Sequence, residues 1–143
     1  MKPSSILETI LYSSDIEQAA WFYHQVLGLD MPGGMSELMT CFHIDDNHVL
    51  LIFDPSKSDK PGRGVPSHGP RGAGHIALRI EESQYDSWKK QLSTFGVGIE
   101  QEVDWATEES FRPGRSIYCR DPYGNSVELI TANIWPEFSP NKD

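Results

Sequence analysis

The chain has 143 residues, 38% of them hydrophobic and 23% charged, which is enough apolar material for one compact globular domain and too little charge bias for a disordered chain. Lys and Arg number 12 and Asp and Glu 21, a formal net charge of −9, and this is the wrong sign for neutralising phosphates, so nucleic acid and anionic membrane surfaces are excluded as expected partners. The longest apolar runs, such as Val49 to Phe53 and Val127 to Ile130, fall far short of the roughly 20 residues that span a bilayer.

The first residues, Met1-Lys2-Pro3-Ser4-Ser5, carry no apolar signal region, and a cytoplasmic location is the expectation. Ile6 to Tyr12 reads as a strand. Ser13-Ser14-Asp15 supplies a turn and an N-cap for a helix in which Ile16, Ala19, Ala20, Tyr23, Val26 and Leu27 recur at helical intervals up to Gly28. Leu38 to Ile44 and Val49 to Phe53 form a hairpin around Asp45-Asp46-Asn47. From Asp54 to Gly74 the composition turns to Pro, Gly, Ser, Lys and Arg, the mark of a linker or loop. The order then recurs. A strand covers His75 to Ile80, and a helix from about Ser83 carries Tyr85, Trp88, Leu92 and Phe95 on one face. A strand Val97 to Val103 follows, and the last hairpin, Ser116 to Cys119 and Ser126 to Thr131, closes around Asp121-Pro122-Tyr123-Gly124-Asn125. Cys41 and Cys119 both sit in strand-like apolar runs and read as buried, reduced thiols.

The recurrence keeps one offset. Glu8 and His75, Asp15 and Glu82, and Trp21 and Trp88 each stand 67 positions apart, and Gly28 and Gly96 stand 68 apart. A constant offset through several features is the signature of a duplicated unit. Alternation along the strands puts His75, Ala77 and Arg79 on one face, Ser126, Glu128 and Ile130 on another, and Glu8 with Ile6, Ile10 and Tyr12 on a third. Glu8, His75 and Glu128 thus have apolar neighbours, where an unpaired charge is costly and a cation resolves the cost. Two carboxylates and an imidazole from separate strands suit a divalent ion with coordination positions open to substrate or water.

The strand and helix from Leu7-Glu8-Thr9-Ile10-Leu11 to Trp21-Phe22-Tyr23 and Val26-Leu27-Gly28-Leu29, the strand Gly74-His75-Ile76-Ala77-Leu78, and the hairpin Arg120-Asp121-Pro122-Tyr123-Gly124-Asn125-Ser126-Val127-Glu128-Leu129 resemble the vicinal oxygen chelate superfamily. That group includes glyoxalase I, fosfomycin resistance transferases, type I extradiol dioxygenases, methylmalonyl-CoA epimerase and bleomycin resistance proteins. The hairpin is the most specific part of the likeness. The resemblance implies an α+β fold of two β-α-β-β-β modules, whose curved mixed sheets surround a metal and substrate cleft. One domain then comprises module 1 (about 5–55), a linker (about 54–73) and module 2 (about 74–133). It implies Glu8, His75 and Glu128 as metal ligands, with Glu8 or Glu128 able to act as general base. Mn, Ni, Co, Zn or Fe would be the ion. Many members have His or Gln where this chain has Glu8, which weakens a dioxygenase reading. A fourth ligand of the glyoxalase I kind would fall among Val49, Leu50, Leu51 and Ile52, none of which coordinates. Three ligands look more like the fosfomycin transferases and dioxygenases, although the additional basic cluster of a fosfomycin enzyme is not evident. A homodimer is implied, with Glu8 from one subunit joining His75 and Glu128 of the other, or all three within one chain.

Blander readings stand beside these. His75 also reads as a core histidine bonded to a carboxylate, and Glu8 as an ion-pair partner of Arg79 or Arg120. His24, His43, His48 and His68 read as surface or loop residues, and Asp15, Glu17, Glu81 and Glu82 as caps or solvated charges. Trp105, Phe111, Arg112 and Arg115 around Glu108-Glu109 suggest either a lid or an ordinary packed loop. Arg63, His68 and Arg71 read as groups for an anionic substrate or as a solvated connector. Tyr12, Arg79, Trp105, Arg115 and Tyr118 are the candidate substrate residues. The leading function is a divalent-metal-dependent enzyme on a small oxygen-chelating metabolite, of the isomerase or lyase, transferase or dioxygenase type. The alternative is a metal-free binding protein of the bleomycin-resistance kind, for which an acidic chain suits a cationic ligand. A degenerate member with a structural or regulatory role is a third reading.

Overall fold

In the computed structural model, which describes residues 6, 8–46, 48–62, 65, 68–107, 112–132 and 134, the first strand-forming run becomes strand β1 (Glu8–Tyr12). Asp15 caps the next element as its spacing predicts, its carboxylate accepting the Gln18 N–H at 3.0 Å to open helix α1 (Ile16–Ala20). The helix widens beyond Ala20. Trp21–Val26 is π-helical, and the Leu27 N–H reaches five residues back to the Phe22 carbonyl. Phe22, Tyr23 and Val26 are all buried in this stretch.

The predicted hairpin is β2 (Met39–Asp45) and β3 (His48–Phe53). β3 also pairs in parallel with β1, so the sheet runs β1-β3-β2. The isolated bridges Asp30↔His43 and Met35↔Thr40 extend its β2 edge. α1 and its π-helical continuation cover one side of this sheet, where Leu11, Phe42, Leu50 and Ile52 are buried and the Tyr23 and Phe42 rings lie 5.4 Å apart. The expected linker is not wholly irregular. Asp54 accepts the Ser56 N–H at 2.9 Å and nucleates the single-turn helix α2 (Pro55–Ser58), in which proline occupies the first turn, where no backbone donor is needed.

The second set begins at β4 (His75–Arg79), passes through a 3-10 turn, Glu82–Gln84, and continues into α3 (Tyr85–Thr94). Gly96, at φ +71, ends this helix, the Gly96 N–H bonding to Ser93 and the Val97 N–H to the Leu92 carbonyl. This is the Schellman arrangement. It occupies Val97, so β5 is Gln101–Asp104 instead of starting at Val97 as the apolar pattern suggests. β6 (Arg115–Arg120) and β7 (Ser126–Ile130) complete a sheet ordered β4-β7-β6-β5, with β4 and β7 parallel. Ile117, Cys119, Val127 and Leu129 form its buried side.

The duplication is visible in register. Glu8 opposite Val49 and Ile10 opposite Leu51 correspond to His75 opposite Ser126 and Ala77 opposite Glu128. Both sheets are mixed and each is crossed by one helix, as the β-α-β-β-β reading requires. The chain divides into two compact units, Met1–Gly74 with Asp121–Asn125, and His75–Arg120 with Ser126–Asp143. Among the described residues no helix is long and apolar enough to cross a membrane.

Candidate functional site

Strand alternation and register together fix what one face of the β4-β7-β6-β5 sheet presents. Tyr118 pairs with Glu128, Ala77 with Glu128, and His75 with Ser126, so these side chains project from the same side, opposite the buried Ile117, Cys119, Val127 and Leu129. Glu128 is a carboxylate buried to 6% exposure. Its Oε1 accepts the Ser116 hydroxyl at 2.6 Å, and its Oε2 lies 3.3 Å from His75 Nε2. The His75 side chain is half exposed, and its ring stacks at 21° on that of Tyr118, centroids 6.3 Å apart.

The other imidazole nitrogen decides what this pair is built for. His75 Nδ1 lies 3.2 Å from the Ser126 carbonyl, which can only accept, so Nδ1 carries a proton. Nε2 then faces a carboxylate oxygen either as a second N–H, in an imidazolium–carboxylate pair, or as a bare lone pair. The latter needs a cation between the two atoms or a proton on the carboxyl group. Ligand atoms about 2.1 Å from a divalent ion lie about 3.0 Å apart in octahedral and about 3.4 Å apart in tetrahedral geometry, and the observed 3.3 Å fits an edge of either. A histidine whose second nitrogen is tied to a backbone carbonyl, and a carboxylate held by a hydroxyl, are the outer contacts that metal ligands commonly have. His75 and Glu128 therefore fit a divalent ion. Among the described residues of the chain, no group of three or more His, Cys, Asp or Glu side chains is gathered to hold a metal.

Tyr118 belongs to the same face. Burial pushes its phenol up to about 12, and hydrogen bonding to Glu128 and the charge of Glu128 add to this. Across the sheet Tyr85, hydrogen-bonded to Glu102 at 2.9 Å, is likewise pushed up to about 12, first by burial. Both phenols are thus neutral donors at any physiological pH. Because the folded state holds these protons more tightly than the unfolded chain does, their contribution to stability is complete below the ordinary tyrosine value near 10. It falls away as pH rises toward 12. A spectrophotometric titration should show late-ionising phenols, Tyr85 and Tyr118 among them, and one fewer in Tyr118→Phe. Tyr85 and Tyr118 already ionised at pH 10 would contradict this.

The other predicted residues are distributed differently. Glu8 is exposed on β1, and it raises the thiol value of half-buried Cys41, second to burial as a cause. Tyr12, on the same face of β1, meets His68 Nδ1 through its hydroxyl at 2.6 Å. His68 itself is held by the Ser58 hydroxyl on its carbonyl and sets its ring edge-on to Phe53 at 4.7 Å. It is a packed residue instead of a free linker side chain. His48 is likewise engaged, with Thr9 at 2.7 Å, and His24 with the Leu29 carbonyl at 2.7 Å. Arg79 follows His75 and Ala77 on their face of β4 and is exposed. Arg120 pairs with Glu100 at 2.5 Å. Trp105 donates its indole N–H to Ser116 at 2.8 Å. Arg115 lies on the helix-covered side of the sheet, paired with Glu82 and set over the Tyr85 ring at 3.9 Å, so its charge is committed away from Glu128. Arg63, Glu108, Glu109 and Phe111 lie outside the described residues. Ser116 is the site-face residue that the sequence reading passed over. Counting back from the hairpin tip, Arg120 opposite Ser126 and Tyr118 opposite Glu128, places it on that face.

Two duplicated units, each a mixed sheet with its helix, one of them presenting a His–Glu pair from its parallel strands, define a protein of a paired-module α+β class. Residues 5–129 match the model of the Glyoxalase/Bleomycin resistance protein/Dioxygenase superfamily, and the chain belongs to that superfamily. A crystal structure of lactoylglutathione lyase from Agrobacterium tumefaciens is similar, with TM-score 0.79 and 33% identity, covering 90% of this chain and 94% of that one. Metallothiol transferase FosB of Shouchella clausii (strain KSM-K16) is 29% identical over 121 residues, 85% of this chain and 75% of its own length. Glutathione transferase FosA of Serratia marcescens is 26% identical over 132 residues, 91% of this chain and 82% of its own length.

Proposed function

We propose that the protein is a divalent-metal-dependent enzyme acting on a small molecule with adjacent oxygen ligands, and that His75 and Glu128, joined by Glu8, hold the ion. The observation that carries this is the 3.3 Å approach of His75 Nε2 to Glu128 Oε2 with His75 Nδ1 committed to the Ser126 carbonyl. Glu8 is brought in by the duplication, since it occupies in β1 the register position that His75 occupies in β4. Leu51, standing where Glu128 stands in the other module, offers no fourth ligand and leaves coordination positions for substrate oxygens. When bound, the ion supplies Lewis acidity to those oxygens. His75 contributes a ring of fixed orientation. Glu128 contributes a carboxylate anchored on Ser116, and Tyr118 a phenol hydrogen-bonded to that carboxylate. Glu8, the exposed carboxylate of the three, is the one free to exchange between ligand and general base. Three of the similar proteins carry glutathione or a thiol in their names, and this favours a thiol or thiol adduct as one reactant.

Elemental analysis and calorimetric titration with Mn, Ni, Co, Zn and Fe, on the tag-free protein and on a Glu8→Ala, His75→Ala, Glu128→Ala triple variant, test this reading. About one ion per chain in the wild type and none in the variant is the expected result. A wild type that takes up none of the five ions would sink it, in favour of a metal-free binding protein of the bleomycin-resistance kind.

A further inference from the structure

We propose that Trp105 and Ser116 form a hydrogen-bond relay that sets the orientation of Glu128, making both of them positioning residues. The proposal rests on the reading of Glu128 as a metal ligand. An indole nitrogen can only donate. Trp105 Nε1 lies 2.8 Å from Ser116 Oγ, so the serine oxygen accepts there and keeps one hydrogen to give. That hydrogen goes to Glu128 Oε1, 2.6 Å away, a length expected for a hydroxyl bound to a charged carboxylate. The relay runs from the indole through the hydroxyl to the carboxylate. Glu128 Oε1 accepts it, which holds the carboxylate with Oε2 toward His75 Nε2.

The surroundings reinforce this polarity. The Tyr118 phenol lies beside Ser116 and Glu128 on the same face. Ser116 is wholly buried, and its hydroxyl does not exchange this role with solvent. The Ser116 backbone is held independently, its carbonyl accepting the Tyr85 hydroxyl at 3.3 Å. A change at the serine side chain therefore alters the relay without removing that anchor.

The test compares Co(II) affinity by calorimetry in Ser116→Ala, Ser116→Thr, Trp105→Phe and the Ser116→Ala, Trp105→Phe double variant. Loss of an outer contact of this kind typically weakens metal binding by about 10–100-fold. Ser116→Ala should fall in that range, Ser116→Thr should recover most of the affinity, and Trp105→Phe should lose less. The double variant should be no weaker than Ser116→Ala alone, because Trp105 acts through the serine. Additive losses, or equal losses in Ser116→Ala and Ser116→Thr, would overturn the relay in favour of general packing damage. A second readout needs no metal. The Trp105 indole N–H resonance, identified by its absence in Trp105→Phe, should move in Ser116→Ala and again in Glu128→Gln, and an unmoved resonance would refute the relay. Failure of wild-type Co(II) binding with the indole shifts intact would reject the metal reading and leave the relay standing.

Discussion

Glu128→Gln should weaken divalent-metal binding by more than about 100-fold, beyond the range that loss of an outer-shell contact produces. The substitution is nearly isosteric and keeps an oxygen for the Ser116 hydroxyl at Oε1, so what it removes is the charge that faces His75. Its effect on the metal-free fold should be small by comparison. The difference is readable as ligand stabilisation. At an ion concentration 100 times the dissociation constant, the wild type gains about 2.7 kcal/mol, and the variant should gain almost none. Unfolding followed with and without the ion measures both quantities on the same samples. A Glu128→Gln protein that is stabilised by the ion as much as the wild type would eliminate Glu128 as a ligand. The same variant tests where Glu8 acts. If Glu8 of one subunit serves the His75–Glu128 pair of another in a symmetric dimer, mixing Glu8→Gln and Glu128→Gln chains reconstitutes intact sites. At random pairing about one quarter of all sites recover. Recovery requires a shared site, and its absence, in chains shown to exchange, requires a site within one chain.

How far the sequence foretold the site can be judged residue by residue. Alternation was enough to place His75 and Glu128 on polar faces, because a strand's period is two and both strands carry clean apolar partners. The duplication was readable as a constant offset. Its chemical asymmetry, Leu51 at the place of Glu128, needed the strand register. Composition misled where capping and side-chain bonds intervened. Val97 looks like a strand residue but closes a helix, and the Gly- and Pro-rich stretch looks like a free linker but holds α2 and the packed His68. Arg115 and Ser116 were separable by alternation alone, since adjacent strand residues face opposite ways. A charged residue drew attention and the small polar one beside it did not. The substrate was not legible, because one fold of this kind hosts many chemistries and the choice lies in contacts beyond His75 and Glu128.

The hairpin motif Asp121-Pro122-Tyr123-Gly124-Asn125, the most specific element of the sequence, has its clearest consequence in stability. Asp121 is buried, and its two oxygens accept four hydrogen bonds. Oδ2 takes the Tyr23 hydroxyl at 3.0 Å and Asn125 Nδ2 at 2.8 Å, and Oδ1 takes the backbone N–H groups of Tyr123 at 3.0 Å and Asn125 at 2.8 Å. Asn125 passes the connection on, donating to the Tyr12 carbonyl at 2.9 Å and accepting from the Gly74 N–H at 2.8 Å. Gly74 must be small here, since a Cβ would come within 2.7 Å of Leu11 and 3.2 Å of Asn125 Oδ1. Asp121→Ala deletes the acceptor at the centre of this network and leaves the wholly buried Tyr23 hydroxyl without that partner. Each buried hydrogen bond lost with its donor left in place costs about 1–3 kcal/mol, and a total loss of about 3–5 kcal/mol is expected, among the larger effects a single substitution produces. At roughly 3 °C per kcal/mol for a chain of this size, the melting temperature should fall by about 10–15 °C. Tyr23→Phe removes the donor instead and leaves Oδ2 still bonded to Asn125, so it should cost only about 1 kcal/mol. Denaturant unfolding of the two variants measures the contrast. Equal losses in both would mean that the network is not organised around Asp121, and that the motif acts through its turn geometry, set by Gly124 at φ +90, rather than through the buried carboxylate.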